Sequence, residues 1–380
     1  LPTHEETKKK TTHPLHCFCL LVHYCLKYKR NPLHNFLTRG LILQDLMVLY
    51  VKFRHVNSVG YMGLFMQMSF ADMMVVGAGR TNARLQGVHD LVDWSRYETL
   101  LEGLANRSGM GPSGYPLLKL FKIMILQRLY DLSDPAMEEM LYDRLSFRHF
   151  CGFGVSEALP DETTLCRFRS LLGPHAQDLF CELLAQLKTK GFTAKTGVIL
   201  DATVVASRAK RPQGGQVSQR DPEAGWTKKN GVYHHGYKMH TCVDKTHQLI
   251  QGVVLSSADV HDGLALGALV VPQDTACWAD KAYYNQKNTS LLERLKIENN
   301  ILVKASRGKP LKKEQKAHNS LHAKVRCHIE RVFAHLKGTQ GLERTRYLGI
   351  EKNTAWAFMT ALAYNLKRAA KICQNTSLYV

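Results

Sequence analysis

Thr196-Gly-Val-Ile-Leu-Asp201 is the stretch that decides the fold, because an apolar run that ends in an acid is typical of a buried strand. A second run, Thr275-Ala-Cys-Trp-Ala-Asp280, has the same form. A carboxylate at the end of a buried strand costs free energy unless a partner compensates its charge. The two runs therefore predict two core strands whose terminal acids share a binding site.

A third acid, Glu330, lies in the segment Arg326-Cys-His-Ile-Glu-Arg-Val-Phe-Ala-His-Leu-Lys337. Apolar residues recur there at helical spacing, namely Val325, Ile329, Val332, Phe333 and Leu336. At about 100° per residue, Arg326, Glu330 and Lys337 fall on one face of the predicted helix. A carboxylate between two cations suits a site that holds a phosphodiester. An ordinary surface helix with an Arg–Glu pair is the alternative.

Asp201, Asp280 and Glu330 together form a candidate metal site. Three carboxylates brought together would repel one another unless divalent cations lay between them. Hard oxygen ligands of this kind suit Mg²⁺ or Mn²⁺. A pair of such ions can activate a nucleophile and stabilise the leaving oxygen in phosphoryl transfer.

The order Asp201, Asp280 and Arg326-x3-Glu330-x6-Lys337 resembles that of the DDE transposases of the IS5 family of insertion sequences, within the IS4-like group. The resemblance runs from about residue 68 to 372. Further blocks that fit the family are residues 159–169, 220–229, 235–240, 258–262 and 363–368. One position departs from the pattern: Ala323 stands where the family has a Tyr, which removes a possible phosphate or base contact.

The resemblance implies an α/β (α+β) fold with an RNase H-like catalytic domain. The sequence predicts three antiparallel strands, a helix, a parallel strand and a final helix, in the order of that fold, and the resemblance implies a mixed five-stranded sheet. We expect the catalytic domain at 191–375 and a helical DNA-end-binding domain at 61–190. Residues 1–60 are unassigned, and are either a basic extension or upstream sequence translated from a misplaced start.

The region before the catalytic domain has a helical pattern. An apolar helix is predicted at 117–125, and a second one begins with Asp134 as its cap. A third helix follows 160–164 and is expected to bury Leu165, Phe168 and Leu171, while Arg167 and Arg169 point elsewhere. This region resembles the helix-turn-helix of the family, which would bind terminal inverted repeats. A plain helical bundle packed on the catalytic core is the alternative.

Residues 207–233 are polar and contain glycines, which predicts a long loop that serves a function. Trp226 within it is expected to contact DNA by stacking on a flipped or frayed base at the element end. Anchoring of the loop on the core is the other interpretation of Trp226.

The net charge of +19 and a pI near 9.5 favour a polyanionic partner. A membrane surface or an acidic protein partner would give the same balance. Basic residues cluster at 208–211, 228–229, 304–313 and 337–346. Together these clusters predict phosphate contacts and an affinity that falls with salt.

The ten cysteines show no paired CxxC spacing, so we expect neither a zinc finger nor a disulfide framework. Free thiols fit a reducing cytosol. The apolar stretches at 17–28 and 41–51 are short and interrupted by polar residues, so no transmembrane helix is expected. The histidines at 234–240 favour phosphate contact or strand packing over a metal site.

By resemblance, two Mg²⁺ or Mn²⁺ ions held by Asp201, Asp280 and Glu330 would serve cleavage at the element ends and joining of the freed 3′-hydroxyl to target DNA. Arg326, Lys337 and Lys238 would neutralise phosphate charge. The implied partners are double-stranded DNA and a second subunit in a DNA-assembled homodimer, in the cytoplasm at the bacterial nucleoid. The alternatives are a metal-dependent nuclease and a DNA-binding protein that has lost catalysis.

Overall fold

The computed structural model describes residues 82–104, 114–192, 196–213, 215–229, 231–305 and 308–376. These residues all belong to the compact unit Met68–Val380. The unassigned stretch 1–60 lies outside the described residues, so both interpretations of it remain predictions.

Seven α-helices precede the sheet in the described part of the chain. They are α1 (Ala83–Leu91), α2 (Trp94–Glu102), α3 (Leu117–Leu129), α4 (Asp134–Asp143), α5 (Leu145–Cys151), α6 (Glu162–Leu172) and α7 (Ala176–Thr189). Side chains of Asn82, Asp93, Ser133 and Asp161 accept hydrogen bonds from N–H groups of the first turns of α1, α2, α4 and α6. The predicted apolar helix is therefore α3, and the predicted third helix is α6.

Two details of this helical region differ from the prediction. The cap of α4 is Ser133 and not Asp134, because the Asp134 carboxylate instead accepts from Gln127 Nε2 at 2.5 Å. In α6, Leu165 and Phe168 are buried as expected, but Leu171 is 41 % exposed and Leu172 is buried in its place. The inward stripe of α6 thus follows positions 165, 168 and 172, which is the i, i+3, i+7 spacing of a helix face.

Six strands form one mixed sheet: β1 (Val198–Ala206), β2 (Gly225–Lys229), β3 (Val232–Asp244), β4 (Ile250–Ser257), β5 (Ala276–Ala279) and β6 (Glu298–Ile301). β3 pairs antiparallel with β1 on one edge and with β4 on the other, while β5 is parallel to β1 and β6 to β5. The order β4-β3-β1-β5-β6 is that of an RNase H-like sheet, so the predicted fold class is confirmed.

The short strand β2 is an addition to the five predicted strands. It pairs with Val232–Gly236 at the start of β3, beyond the part of β3 that pairs with β4. The prediction of a continuous loop at 207–233 was therefore wrong for Gly225–Lys229. At Gly236, a Cβ atom would lie 2.2 Å from the carbonyl oxygen of Val205, so only glycine lets β3 pass this close to β1.

Side chains alternate between two buried faces of the sheet. The front face, defined by Ile199, Met239 and Trp278, belongs to the larger core, which also includes the helices before the sheet. The back face, defined by Val198, Cys242 and Cys277, packs on α8 (Leu266–Leu269) and α9 (Gln286–Arg294). Because both faces are covered, the central strands are apolar almost throughout.

The predicted single helix around Glu330 is in fact two helices. α10 (Lys313–Arg326) ends at Arg326, and α11 (His328–Gln340) begins after Cys327. Ile329, Val332 and Leu336 of α11 are fully buried in the larger core, as the periodicity predicted. Arg326 is thus the last residue of one helix, and Glu330 lies in the first turn of the next.

The long helix α12 (Ile350–Thr376) packs against α1, α3, α7 and β4. Its Asn365 side chain accepts from the N–H of Ile250 and donates to the carbonyl of the same residue, at 2.8 and 2.7 Å. Helices before and after the sheet therefore share one core. The division into domains at residue 190 stays a prediction.

None of the helices in the described part of the chain has the length and apolarity required to cross a membrane. Among these residues no two cysteines are joined by a disulfide.

Candidate active site

The register of the parallel strands places Asp201 next to Asp280. Leu200 of β1 lies opposite Ala279 of β5, so the next residue of each chain segment is one of the two acids. Because side chains alternate along a strand, Asp201 and Asp280 lie on the same front face as Ile199 and Trp278, which are two positions earlier. Asp201 lies within β1 and not at its end as predicted, because the strand continues to Ala206 through pairing with β3.

Arg326 bridges two of the three predicted acids. Its Nη1 donates to Asp201 Oδ2 at 2.8 Å, and its Nη2 donates to Glu330 Oε1 at 2.7 Å. The side chains of Arg326 and Asp201 are each 20 % exposed, whereas that of Glu330 is 60 % exposed. The break at Cys327 brings Arg326 toward the sheet while Glu330 stays at the solvent edge of the site.

The pKa of Asp201 is raised to about 6, mainly by burial and to a lesser extent by the nearby Asp280, against the opposing effects of the Ala202 N–H and Arg326. For Arg326, burial lowers the pKa, but Asp201 and Glu330 outweigh it and the pKa is raised. The ionised form of Asp201 is thus disfavoured mainly because burial removes water from the carboxylate, in spite of its ion pair with Arg326.

The donor set fits divalent cations of the Mg²⁺ class. Asp201, Asp280 and Glu330 offer hard carboxylate oxygens, and Asp280 makes no capping hydrogen bond at the turn it precedes. Thr241, directly across from Asp201 in the sheet, has a buried hydroxyl without a partner. Within the described residues no three His, Cys, Asp or Glu side chains are close enough to hold one ion, which is consistent with Arg326 separating Asp201 from Glu330.

Lys337 lies in the last turn of α11, two turns beyond Glu330. Burial lowers its pKa, and the charge of Lys229 adds to this effect. In the described part of the chain no ion pair connects Lys337 to any of the three acids. The structure thus groups Lys337 with Lys229 of β2 and not with Arg326.

Lys238 is on the other face of the sheet from Asp201. It lies two positions before His240 on β3, and its Nζ is 2.9 Å from Asp262 Oδ1 and donates to the Val260 carbonyl at 2.9 Å. Its side chain is only 13 % exposed. The structure therefore does not bring Lys238 together with the three acids, because strand alternation turns it to the back face.

A buried polar network on the back face supports the segment that carries Asp280. Ser256 Oγ donates to the Ser257 carbonyl, so it accepts from His240 Nε2 at 3.0 Å, and His240 Nδ1 is left to accept from the Tyr283 hydroxyl at 3.3 Å. Burial lowers the pKa of His240 to about 4, which keeps the ring neutral, as these roles require.

Tyr283 itself is held at its backbone as well. Its N–H donates to the Asp280 carbonyl at 2.9 Å, and its own carbonyl accepts from Asn288 Nδ2 of α9 at 2.8 Å. Asp280, Tyr283 and His240 are therefore connected in one chain of hydrogen bonds. The sequence pattern did not indicate this network, because His240 and Tyr283 are 43 residues apart.

The polar segment before β2 is tied down by another buried acid, Asp221. Its carboxylate accepts from Ser207 Oγ, from the Tyr237 hydroxyl at 2.5 Å and from the Gly349 N–H at 3.1 Å. Glu223 accepts from the first N–H of α12, at Ile350, at 2.8 Å. The segment is consequently fixed to the start of α12, where carboxylates compensate the positive helix end.

Trp226 lies on β2 and is half-buried. Its Nε1 donates to the Gln216 carbonyl at 3.0 Å, and its ring packs 5.1 Å from that of His235. The Arg211 guanidinium lies 4.9 Å above the ring. These contacts favour the anchoring interpretation of Trp226.

The two arginines predicted on α6 differ in their surroundings. Arg167 is exposed. Arg169 forms an ion pair with Asp134 and lies 5.2 Å above the Tyr347 ring, with its side chain 21 % exposed. Arg169 thus connects α4 and α6 to the segment before α12, since a residue two positions from Arg167 points to the other side of a helix.

Two parts of the chain match families of known proteins. Residues 193–366 match the transposase DDE domain. Residues 78–171 match the transposase domain DUF772. The first match includes the whole sheet with Asp201, Asp280 and Glu330, and the second includes the helices from α1 to nearly the end of α6.

Proposed function

We propose that this chain, a transposase with a DDE catalytic domain that cuts and transfers DNA strands, moves an insertion sequence of the IS5 family. It binds the terminal inverted repeats, cleaves DNA at the element ends and joins the 3′-hydroxyl ends to target DNA. The observation that carries the proposal is the placement of Asp201 beside Asp280 with Arg326 bridging Asp201 to Glu330.

Asp201, Asp280 and Glu330 are the residues that would hold two Mg²⁺ or Mn²⁺ ions. When bound, such ions lower the pKa of a water molecule and stabilise the oxygens of an in-line displacement. The placement of Asp201 beside Asp280 supports this role, because two neighbouring carboxylates repel each other unless cations lie between them.

Arg326 has N–H groups beyond the two that it donates to the acids, since a guanidinium carries five. We assign these to a non-bridging oxygen of the scissile phosphate, as arginine suits phosphate geometry. Lys337, together with Lys229, contacts the DNA backbone further along the same surface. Lys238 and Arg169 act as internal supports, because each is engaged in an ion pair.

The helical region supplies the contacts to the element ends, with Arg167 as one of its exposed cations. Cutting two ends in one reaction requires two catalytic sites, so the working form is a homodimer assembled on double-stranded DNA. The net charge of +19 supports such a partner.

The test is an assay of cleavage and strand transfer on labelled DNA that bears the ends of the element, with Mg²⁺ or Mn²⁺. Asp280→Asn should abolish both cut and joined products, a loss of about a hundredfold or more. Asp178→Asn on α7 makes the same change at a side chain that is 73 % exposed, and should behave as the unaltered protein.

Two results would replace the proposal. Cutting without joining by the unaltered protein would identify a metal-dependent nuclease. Salt-sensitive binding to the ends without any chemistry would identify a DNA-binding relic, and Ala323→Tyr would be the first reversion to try.

A further inference from the structure

The hairpin of β2 and β3 presents one face with basic and aromatic side chains only. Trp226 lies opposite His235, and Lys228 lies opposite Tyr233, so these four side chains share a face. The chain contains no Asp or Glu between Glu223 and Asp244. This face therefore offers cations and rings without any acid on either strand to neutralise them.

Tyr233 is the exposed ring of this face. Its residue surface is 53 % exposed, and the Lys228 ammonium lies 5.1 Å from the ring centroid. Trp226 differs, because its Nε1 is bound to Gln216 and Arg211 covers its ring. Of the two rings, Tyr233 is the one free to receive a flat partner, and Trp226 is the one that fixes the hairpin.

His235 gives an independent indication of a missing polar partner. The residue is 6 % exposed, and neither of its ring nitrogens has a hydrogen-bond partner among the described residues. A buried imidazole normally has at least one partner. The buried His235 ring on this face can therefore donate a hydrogen bond to a ligand or accept one from it.

The hairpin also lies near the acids. Lys229 is the last residue of β2 and lies opposite Val232. Burial dominates the raised pKa of Asp201, and Lys229 is one of the cations that lower it, so the two charges are within electrostatic reach. The residues Val232–His235 extend past the last residue of β1, which is paired with Gly236. These residues therefore pair with β2 and not with β1.

We infer that the hairpin face of Lys228, Tyr233 and His235 is a binding site for an unpaired nucleotide, with the base stacked on Tyr233 and its phosphate at Lys228. The inference rests on the proposed function for the source of the nucleotide, which is the strand frayed at the cut. Aromatic stacking tolerates any base, and a cation beside the ring suits the backbone of a single strand.

The test compares binding of a short fluorescent oligothymidylate and of a blunt duplex to the full chain, by anisotropy without metal. Tyr233→Ala should weaken oligothymidylate binding by about 5- to 100-fold, the range for loss of one stacked base, and leave duplex binding unchanged. Tyr233→Trp should retain binding, and Lys228→Gln should reduce the salt slope for the oligothymidylate by about one.

Tyr142→Ala is the matched control. Tyr142 is 57 % exposed and has the Arg148 guanidinium 5.7 Å from its ring, but it lies on α4. It should leave oligothymidylate binding unchanged. An equal loss for both tyrosines, an equal loss for the duplex, or no loss for Tyr233→Ala would each overturn the inference. Because no cleavage is measured, failure of the transposition assay alone would leave this result intact.

Discussion

The front and back faces of the sheet use polar residues in opposite ways. On the front face, Asp201, Asp280 and Glu330 are three acids with Arg326 as the cation that contacts two of them. On the back face, His240 is hydrogen-bonded at both ring nitrogens. The front face thus retains unbalanced charge, whereas the His240 network satisfies its own groups.

This difference separates the residues that bind from those that position. A site for phosphate and cations needs groups that the protein itself leaves partly unpaired. The geometry of such a site is maintained by the His240 network behind it, in which the polar groups are paired with one another. A network with unpaired groups would be less stable. The two faces can therefore be distinguished by substitutions that should affect activity, pH dependence and metal requirement separately.

Arg326→Ala should have the largest effect. It removes the bridge between Asp201 and Glu330 and the cation that we assign to the scissile phosphate, so single-turnover cleavage should fall by about a hundredfold. Arg331→Ala alters an exposed arginine in the first turn of the following helix, α11, and should change cleavage little. Similar losses for the two variants would show that Arg326 acts only through the general positive charge of this part of the chain.

The pH dependence of unfolding should identify Asp201 in the metal-free protein. Its folded pKa of about 6 is above the ordinary value of 3.8, so its ionised form costs stability above pH 6. Between pH 6 and pH 4, protonation should relieve this cost by about 1.4 kcal/mol per pH unit.

Urea denaturation at several pH values measures this contribution as the difference between the unaltered protein and Asp201→Asn. The variant should lack the stabilisation on acidification that Asp201 provides. Parallel curves for the two proteins would mean that the folded pKa of Asp201 is not raised.

Tyr283→Phe should have the smallest effect and should affect the back face alone. It removes the hydroxyl that binds His240, and should lower the free energy of unfolding by about 1 kcal/mol. Tyr97→Phe removes a comparable buried hydrogen bond, to the Leu179 carbonyl at 3.1 Å, and should cost about the same.

Only Tyr283→Phe should raise the Mg²⁺ concentration for half-maximal cleavage, by about 3- to 10-fold, as changes behind metal ligands can do. Mn²⁺ binding followed by electron paramagnetic resonance gives a measurement that does not depend on activity. An unchanged metal affinity in Tyr283→Phe would limit the His240 network to a structural role.

The core strands could be predicted from sequence because their apolar runs are uninterrupted, whereas β2 could not. Thr227, Lys228 and Lys229 are polar, and β2 forms because β3 provides hydrogen-bond partners. The end of the strand at Asp201 was misplaced, since an acid interrupts the apolar pattern without interrupting the pairing. The break at Cys327 was missed because the apolar spacing continues through it.

Residue order predicted which acids and which arginine come together. It did not predict the features of the site that depend on strand alternation. The three acids and Arg326 were identified by their spacing. Lys238 was assigned to the same site because its motif is near in sequence, but a one-residue offset sends a side chain to the other face. The contacts of His240 with Tyr283 and of Trp226 with Gln216 join segments whose pairing no local pattern indicates.

The bridge made by Arg326 has a consequence for how the protein is made in the cell. An internal cation that already compensates Asp201 and Glu330 separates completion of the fold from the supply of magnesium. Newly synthesised chains can then fold and persist while free metal is scarce. A chelator should consequently silence the enzyme without unfolding it, and activity should return when metal is restored.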